Sequence, residues 1–249
     1  MTMNRYGLIG YPLSHSFSKR YFAQKFERET ISDAVYELFP LETIDALPAL
    51  LLEHPDLIGL NVTIPYKQQV LPFLDHLDPV AKRIGAVNTI KIDPASSKRV
   101  GYNSDYYGFK QSLRAWLANR EVKQSLVLGT GGASRAVVCA LQDLSIGHTY
   151  VSRRPAAGAI TYDDLRADYN LADFPLIINT TPLGMAPHVE ATPALEYEQL
   201  TPQHFCYDLV YNPEETLFMK KGQTQGAQTK NGLEMLHLQA EKSWEFWNS

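Results

Sequence analysis

The 249 residues, 45% apolar and 20% charged, carry a formal net charge of −4. That length accommodates two modest α/β domains or one large one, and the composition is that of an ordinary globular protein. The acidic balance excludes a broadly basic surface for nucleic acid or anionic lipid, so an anionic ligand has to be held by local donors.

Tyr6–Ile9 reads as a first strand. This apolar run is soon followed by Pro12, and no later stretch approaches 18 uninterrupted apolar residues, so neither a signal peptide nor a membrane span is expected. Ser16–Phe26 has helical spacing at Phe17, Tyr21 and Phe22. Val35–Phe39 alternates as a strand does, and Thr43–Leu52 predicts a helix with Leu47, Leu50 and Leu51 on one side. Leu57–Ile64 and Ala86–Ile92 read as strands, and Asp93-Pro94-Ala95-Ser96-Ser97 is a turn signal between two strand-like runs.

Tyr106–Asn119 predicts a helix with Phe109, Leu113, Trp116 and Leu117 apolar. Ser125–Leu128 is a short strand of the fully buried type, running straight into Gly129-Thr130-Gly131-Gly132-Ala133-Ser134-Arg135-Ala136. A helix to about Leu144 follows, then a strand over His148–Ser152. This is the βαβ entrance of a dinucleotide-binding domain, and alternation throughout the chain argues for the α/β class. The two cysteines, Cys139 and Cys206, lie in apolar runs without CxxC or metal spacing. They read as buried small hydrophobes in a reducing compartment, with the cytoplasm as the expected location and no metal.

Gly129 allows a tight strand-to-helix turn, and Gly131 allows the backbone to approach a pyrophosphate held by helix amides and dipole. Ser134 stands at the third position of the GxGxxG pattern, so the strict pattern fails, and a plain turn is the competing reading. After Val151 comes Ser152-Arg153-Arg154 with no acid for a ribose 2′-hydroxyl. Two guanidinium groups there suit a 2′-phosphate, hence NADP; two solvated surface arginines are the plainer alternative. In the first half, polar clusters end the strand-like runs, where α/β proteins bind ligands. Taken singly, each has a bland reading: an N-cap at Ser14 or Ser16, turn residues at Asn88 and Asn103, a solvated Lys67.

Taken in order, these clusters resemble the shikimate dehydrogenase family. The matching motifs are Ser14-x-Ser16, Asn61-Val62-Thr63-Ile64-Pro65-x-Lys67, Gly85-Ala86-x-Asn88-Thr89 and Gly101-x-Asn103-Ser104-Asp105-x-x-Gly108. They continue through the glycine turn to Asn179-Thr180-Thr181-Pro182-x-Gly184-Met185, Asp208-Leu209-Val210-Tyr211-Asn212-Pro213 and Asn231-Gly232-Leu233-x-Met235-Leu236-x-x-Gln239-Ala240. Ser152-Arg153-Arg154 stands where the family commonly has Asn-Arg-Thr, and Ser104 where it commonly has Thr.

The resemblance implies an α/β substrate-binding domain over residues 1–108, joined by a C-terminal helix over 233–249, and a Rossmann NADP-binding domain over 109–232. It implies reversible reduction of 3-dehydroshikimate to shikimate, with Lys67 and Asp105 as the acid/base pair. Ser14 and Ser16 would hold the substrate carboxylate with Tyr211 nearby. Thr63, Asn88, Asn103 and Gln239 would read the ring hydroxyls. Gly131, Gly132 and Ala133 would approach the cofactor pyrophosphate, with Gly129 and Thr180 also in the cofactor site. Ser152, Arg153 and Arg154 would stand at the adenosine phosphate with Arg153 on the 2′-phosphate, and Gly232 and Met235 would border the nicotinamide. A monomer or homodimer with a small-molecule substrate is expected. The alternatives are an NAD-using quinate/shikimate dehydrogenase, an enzyme for an altered shikimate, and a non-catalytic sensor on the same fold.

Overall fold

A computed structural model describes residues 3–13 and 17–249 of the chain. The chain divides into two compact units, one of Met1–Ser104 with Gln239–Ser249 and one of Asp105–Leu238. Both exchanges fall inside helices, a few residues from the boundaries at 108 and 233 that the resemblance implied.

In the first unit the elements are β1 (Asn4–Gly10), α1 (Phe17–Arg28), β2 (Ala34–Pro40), α2 (Leu47–Glu53), β3 (Leu57–Val62), β4 (His76–Leu77), α3 (Pro79–Ile84), β5 (Thr89–Ile92) and β6 (Arg99–Tyr102). They form a six-stranded sheet in the order β2-β1-β3-β5-β6-β4. β1 runs parallel to β2 and β3, whereas β5 is antiparallel to β3 and β6. The turn foreseen at Asp93 closes the β5–β6 hairpin, where the Asp93 carboxylate accepts from the Ala95 and Ser96 amides at 3.1 and 2.7 Å, an Asx-type turn.

The helix foreseen over Thr43–Leu52 is broken into a 3-10 turn, Ile44–Ala46, and α2. Pro48 lacks the amide that a helix continuous from Thr43 needs. The strand foreseen to Ile64 ends at Val62, because Thr63 opens a turn closed by the Tyr66 amide on its carbonyl at 2.9 Å. Two cores flank the sheet. Ile44, Leu47, Leu50, Val70 and Ala81 fill one, and Tyr6, Phe22, Phe26, Tyr36 and Trp247 fill the other. Burial on both faces explains why β1 reads as a continuous apolar run rather than an alternating one.

The second unit holds nearly all of α4 (Ser104–Leu117), then β7 (Gln124–Leu128), α5 (Gly132–Asp143), β8 (Gly147–Ser152), β9 (Ala159–Thr161), α6 (Tyr162–Asp168), β10 (Leu176–Asn179), β11 (Phe205–Asp208), α7 (Leu217–Thr224), β12 (Gln228–Lys230) and the start of α8 (Leu233–Asn248). The six strands lie in the order β12-β11-β10-β7-β8-β9, all parallel. Numbered from β7 this is 3-2-1-4-5-6, the doubly wound Rossmann arrangement. α4 packs its apolar stripe on β11, with the Phe109 and Tyr207 rings 5.2 Å apart and Trp116 and Phe205 5.6 Å apart. No helix among the described residues is long and apolar enough to cross a membrane.

Candidate cofactor cradle and substrate-side residues

Strand order reverses between β7 and β10, whose last residues Leu128 and Asn179 are register partners. Crossovers leave these two strands in opposite directions, so a crevice opens beyond their carboxyl ends. A cavity of about 270 Å³ lies there, lined by Gly129–Gly131, Val151–Arg153, Tyr162 and Thr180–Leu183. Gly129 turns the chain out of β7 at φ +103°, a conformation that L side chains rarely adopt. Its amide donates to Val151 O at 2.8 Å.

α5 begins one residue after Gly131, which caps it without a side-chain bond, so the first amides of the helix have no intrahelical partner. Beyond the adjoining backbone, a Cβ placed on Gly131 or Gly132 would meet no atom of the described residues within 4 Å. Protein packing therefore gives no reason for glycine at either position. The open space beside unengaged amides and the positive end of a helix dipole fits a pyrophosphate. Ala133 follows within the same first turn. Thr180 serves the floor of the cradle, its hydroxyl and amide both donating to Leu128 O at 2.7 and 3.0 Å.

Among the described residues, Arg153 is the one charged side chain lining the cavity, and no carboxylate lines it. The Ser152 hydroxyl accepts from the Arg154 amide at 3.4 Å and shapes the turn. Arg154 is exposed and does not line the cavity. The guanidinium of Arg153 makes no hydrogen bond or ion pair among the described residues.

Below the cradle lies a polar bracket whose residues Asn179, Thr181 and Asp208 stand in the matching motifs but carried no assigned role. Fully buried Asp208 ends β11 and accepts from Asn179 Nδ2 at 2.9 Å, the Val210 amide at 3.0 Å and Thr216 Oγ1 at 2.6 Å. Asn179 Oδ1 in turn accepts from the amide and hydroxyl of Thr181 at 3.1 and 2.6 Å. Burial pushes the Asp208 carboxyl up to about 6, against the lowering effect of these donors. An acidic residue closing an entirely apolar strand was the available signal.

In the first unit, Asn88, Asn103 and Gln239 come together around the start of α4. Asn88 Oδ1 accepts the Ser104 amide at 2.6 Å, and its Nδ2 donates to Ser104 Oγ at 2.9 Å. Asn103 Nδ2 donates to Ala86 O at 3.0 Å, and Ser104 Oγ donates to Gln239 Oε1 at 3.3 Å. Ser243, one helical turn beyond Gln239 and absent from the sequence reading, joins Asn61, Thr89 and Ser104 at 3.0, 2.8 and 2.9 Å. These bonds hold Asn88 and Ser104 to protein partners and fix the backbone that leads into Asp105, the buried second residue of α4.

Thr63 follows β3, its amide on Ile9 O at 2.9 Å. Lys67 is half-buried, and its carbonyl accepts the Val87 amide at 2.7 Å. Tyr211 lies half-buried just beyond β11, and Met235 is buried in the first turn of α8. Gly232 has a packing reason of its own, since a Cβ there would stand 2.1 Å from Leu209 O. Ser14 and Ser16 lie outside the described residues.

A doubly wound parallel sheet with a glycine cradle at its switch point, preceded by a second α/β unit rich in buried amides and hydroxyls, defines a two-domain protein of the dinucleotide-binding class. The family model for the shikimate dehydrogenase substrate binding domain matches residues 8–90. The shikimate dehydrogenase (NADP+) of Clostridium beijerinckii is 39% identical over 98% of this chain and 92% of its own length. Among solved structures, a chorismate mutase/shikimate 5-dehydrogenase fusion protein from Clostridium acetobutylicum is 35% identical with a TM-score of 0.87, covering 100% of this chain and 91% of that one. The shikimate 5-dehydrogenase of Thermus thermophilus, solved in complex with NADP(H) and shikimate, is 30% identical with a TM-score of 0.84 over 98% and 93%. The chain belongs to the shikimate dehydrogenase family.

Proposed function

We infer that the protein is an NADP-dependent oxidoreductase that interconverts shikimate and 3-dehydroshikimate. The observation that carries the cofactor half of this reading is the cavity beside β8, where among the described residues Arg153 supplies the one charge and no carboxylate competes for a ribose 2′-hydroxyl. A guanidinium pairs with phosphate through several donors in fixed geometry. Gly131, Gly132 and Ala133 would hold the pyrophosphate, with Gly129 and Thr180 shaping the turn beneath it. Ser152 and Arg154 would form the wall of the adenosine end, and Gly232 and Met235 the nicotinamide end.

When bound, NADP supplies the acceptor or donor of the hydride. The chain's own task is then to bind the polyol acid and manage one proton. We assign Ser14, Ser16 and Tyr211 to the carboxylate, and Thr63, Asn88, Asn103 and Gln239 to the ring hydroxyls. Amides and hydroxyls suit that task because they both donate and accept. For Asn88 the bonds to Ser104 add a positioning part. Lys67 and Asp105 are assigned to the acid/base pair. In the direction of reduction the Lys67 ammonium gives its proton to the ketone oxygen, and in the direction of oxidation a neutral Lys67 takes the hydroxyl proton. We place the protein in the cytoplasm, as a monomer or homodimer with no nucleic-acid partner.

Initial rates of shikimate oxidation with NADP and with NAD, and of quinate oxidation with each, test the reading. Turnover of shikimate confined to NADP is the expected result. Comparable rates with NAD or quinate would move the protein to the NAD-using quinate/shikimate branch, and ligand binding without turnover to the sensor reading.

A further inference from the structure

The second strand of the Rossmann unit is tied to the third by an unusually short link. β8 and β9 are parallel, with Tyr150↔Ala159, Val151↔Ile160 and Ser152↔Thr161 as partners. The chain returns from Ser152 to Ala159 through the six residues 153–158, where parallel neighbours ordinarily need a crossover of a dozen or more, mostly helical. Because Ser152 and Thr161 are ladder partners, the residues that follow them, Arg153 and Tyr162, leave adjacent strands at the same level. Both line the cavity.

Tyr162 is held there firmly. Thr161 caps α6, accepting the Asp164 amide at 3.1 Å while the Asp164 carboxylate accepts the Thr161 amide at 2.8 Å. This reciprocal capping box fixes Tyr162 as the first helical residue. Its ring packs in the second unit's core with Val151 and Leu165, leaving 8% of the residue accessible. Its hydroxyl has no hydrogen-bond partner among the described residues. No buried side-chain nitrogen or oxygen among them lacks a partner, so this hydroxyl is accessible, on a residue that lines the cavity and within reach of the Arg153 charge. The acidic residues that follow are turned to other partners, Asp164 to Thr161 and Asp163 to Arg166.

We propose that Tyr162 is a second reader of the cofactor's 2′-phosphate, its phenolic hydroxyl donating to a phosphate oxygen alongside the Arg153 guanidinium. The proposal rests on the reading of this cavity as the NADP adenosine site. Burial pushes the phenol up to about 12, with the charge of Arg153 acting in the opposite sense, so the group is a neutral donor at physiological pH. A neutral donor beside a cation adds a directed bond to the phosphate without adding charge, which sharpens the choice of NADP over NAD.

The test compares dissociation constants for NADP+ and NAD+, by calorimetry, in the wild-type protein, Tyr162→Phe and Arg153→Ala. Tyr162→Phe keeps the packed ring, and its expected effect is a loss of NADP+ affinity of roughly 10- to 100-fold, the range for a hydrogen bond to a charged group, with NAD+ affinity and thermal midpoint unchanged. If Arg153→Ala lowers the NADP+/NAD+ preference and Tyr162→Phe does not, the role of Tyr162 is overturned while the cavity keeps its assignment. If neither variant changes the preference, the assignment of the cavity to the 2′-phosphate fails, and the proposal for Tyr162 with it.

Discussion

Asn179 and Asp208, register partners at the carboxyl ends of β10 and β11, are joined side chain to side chain at 2.9 Å with neither exposed to solvent. Through this bond the loop carrying Thr180 and Thr181, which lines the cavity at the switch point, is coupled to the loop after β11 and to the Thr216 cap of α7.

The coupling has a pH signature. The Asp208 carboxyl is raised from 3.8 to about 6 on folding, so the folded state binds its proton more tightly than the unfolded chain does. Its stabilising contribution is therefore fully present below about pH 4 and is lost as pH rises through about 6. Asp208→Asn, which keeps the shape and cannot ionise, should remove this dependence. In urea unfolding, the stability of wild type relative to the variant should fall by about 2–3 kcal/mol between pH 4 and pH 7. A pH-independent difference would refute the assignment.

Ser243 places one hydroxyl against Asn61, Thr89 and Ser104 in a fully buried network. Ser243→Ala should cost about 1–3 kcal/mol, because polar partners are left without a bond away from water. Chemical denaturation measures this directly, and a cost within experimental error would show that the network closes without Ser243.

Gly131 and Gly232 predict opposite outcomes for the same substitution. Beyond its chain neighbours, Gly131→Ala meets no atom of the described residues within 4 Å, so its thermal midpoint should match wild type while NADP+ binding weakens. Gly232→Ala drives a methyl group to 2.1 Å from Leu209 O and should destabilise the fold by about 1–3 kcal/mol, the usual range for overpacking. Paired melting and binding curves separate the two. Unaltered cofactor affinity in Gly131→Ala would count against the phosphate assignment.

Lys67→Ala should lower kcat for shikimate oxidation by roughly 10²- to 10⁴-fold, the usual contribution of a general acid/base, with a smaller effect on NADP+ binding. Steady-state kinetics alongside cofactor titration checks both parts. Near-normal kcat would remove Lys67 from the proton transfer.

Legibility from sequence followed locality. β7 was readable because Leu126-Val127-Leu128 is a continuous apolar run ending at a glycine turn. The β5–β6 hairpin was readable because Asp93 makes its turn with its own neighbours. β9 and β12 have three residues each, half-buried, too short to show any period. α6 carries a local signal that its short length obscures, the capping pair Thr161 and Asp164.

What the sequence determined by itself were features carried by adjacent residues: the strand–glycine–helix entrance, the arginines with no acid after Val151, and the ordered motifs of a shikimate dehydrogenase. Tertiary structure decided which polar groups bond to protein and which reach the cavity. Asn61 meets Ser243 across 182 positions of chain, and the side chain of Asn88 is engaged by Ser104. Arg153 and Tyr162 face one cavity because β8 and β9 pair Ser152 with Thr161. The physical reason is that a side chain's hydrogen-bonding capacity belongs to the residue, while the partners that use it are brought by strand register and helix packing from distant parts of the chain.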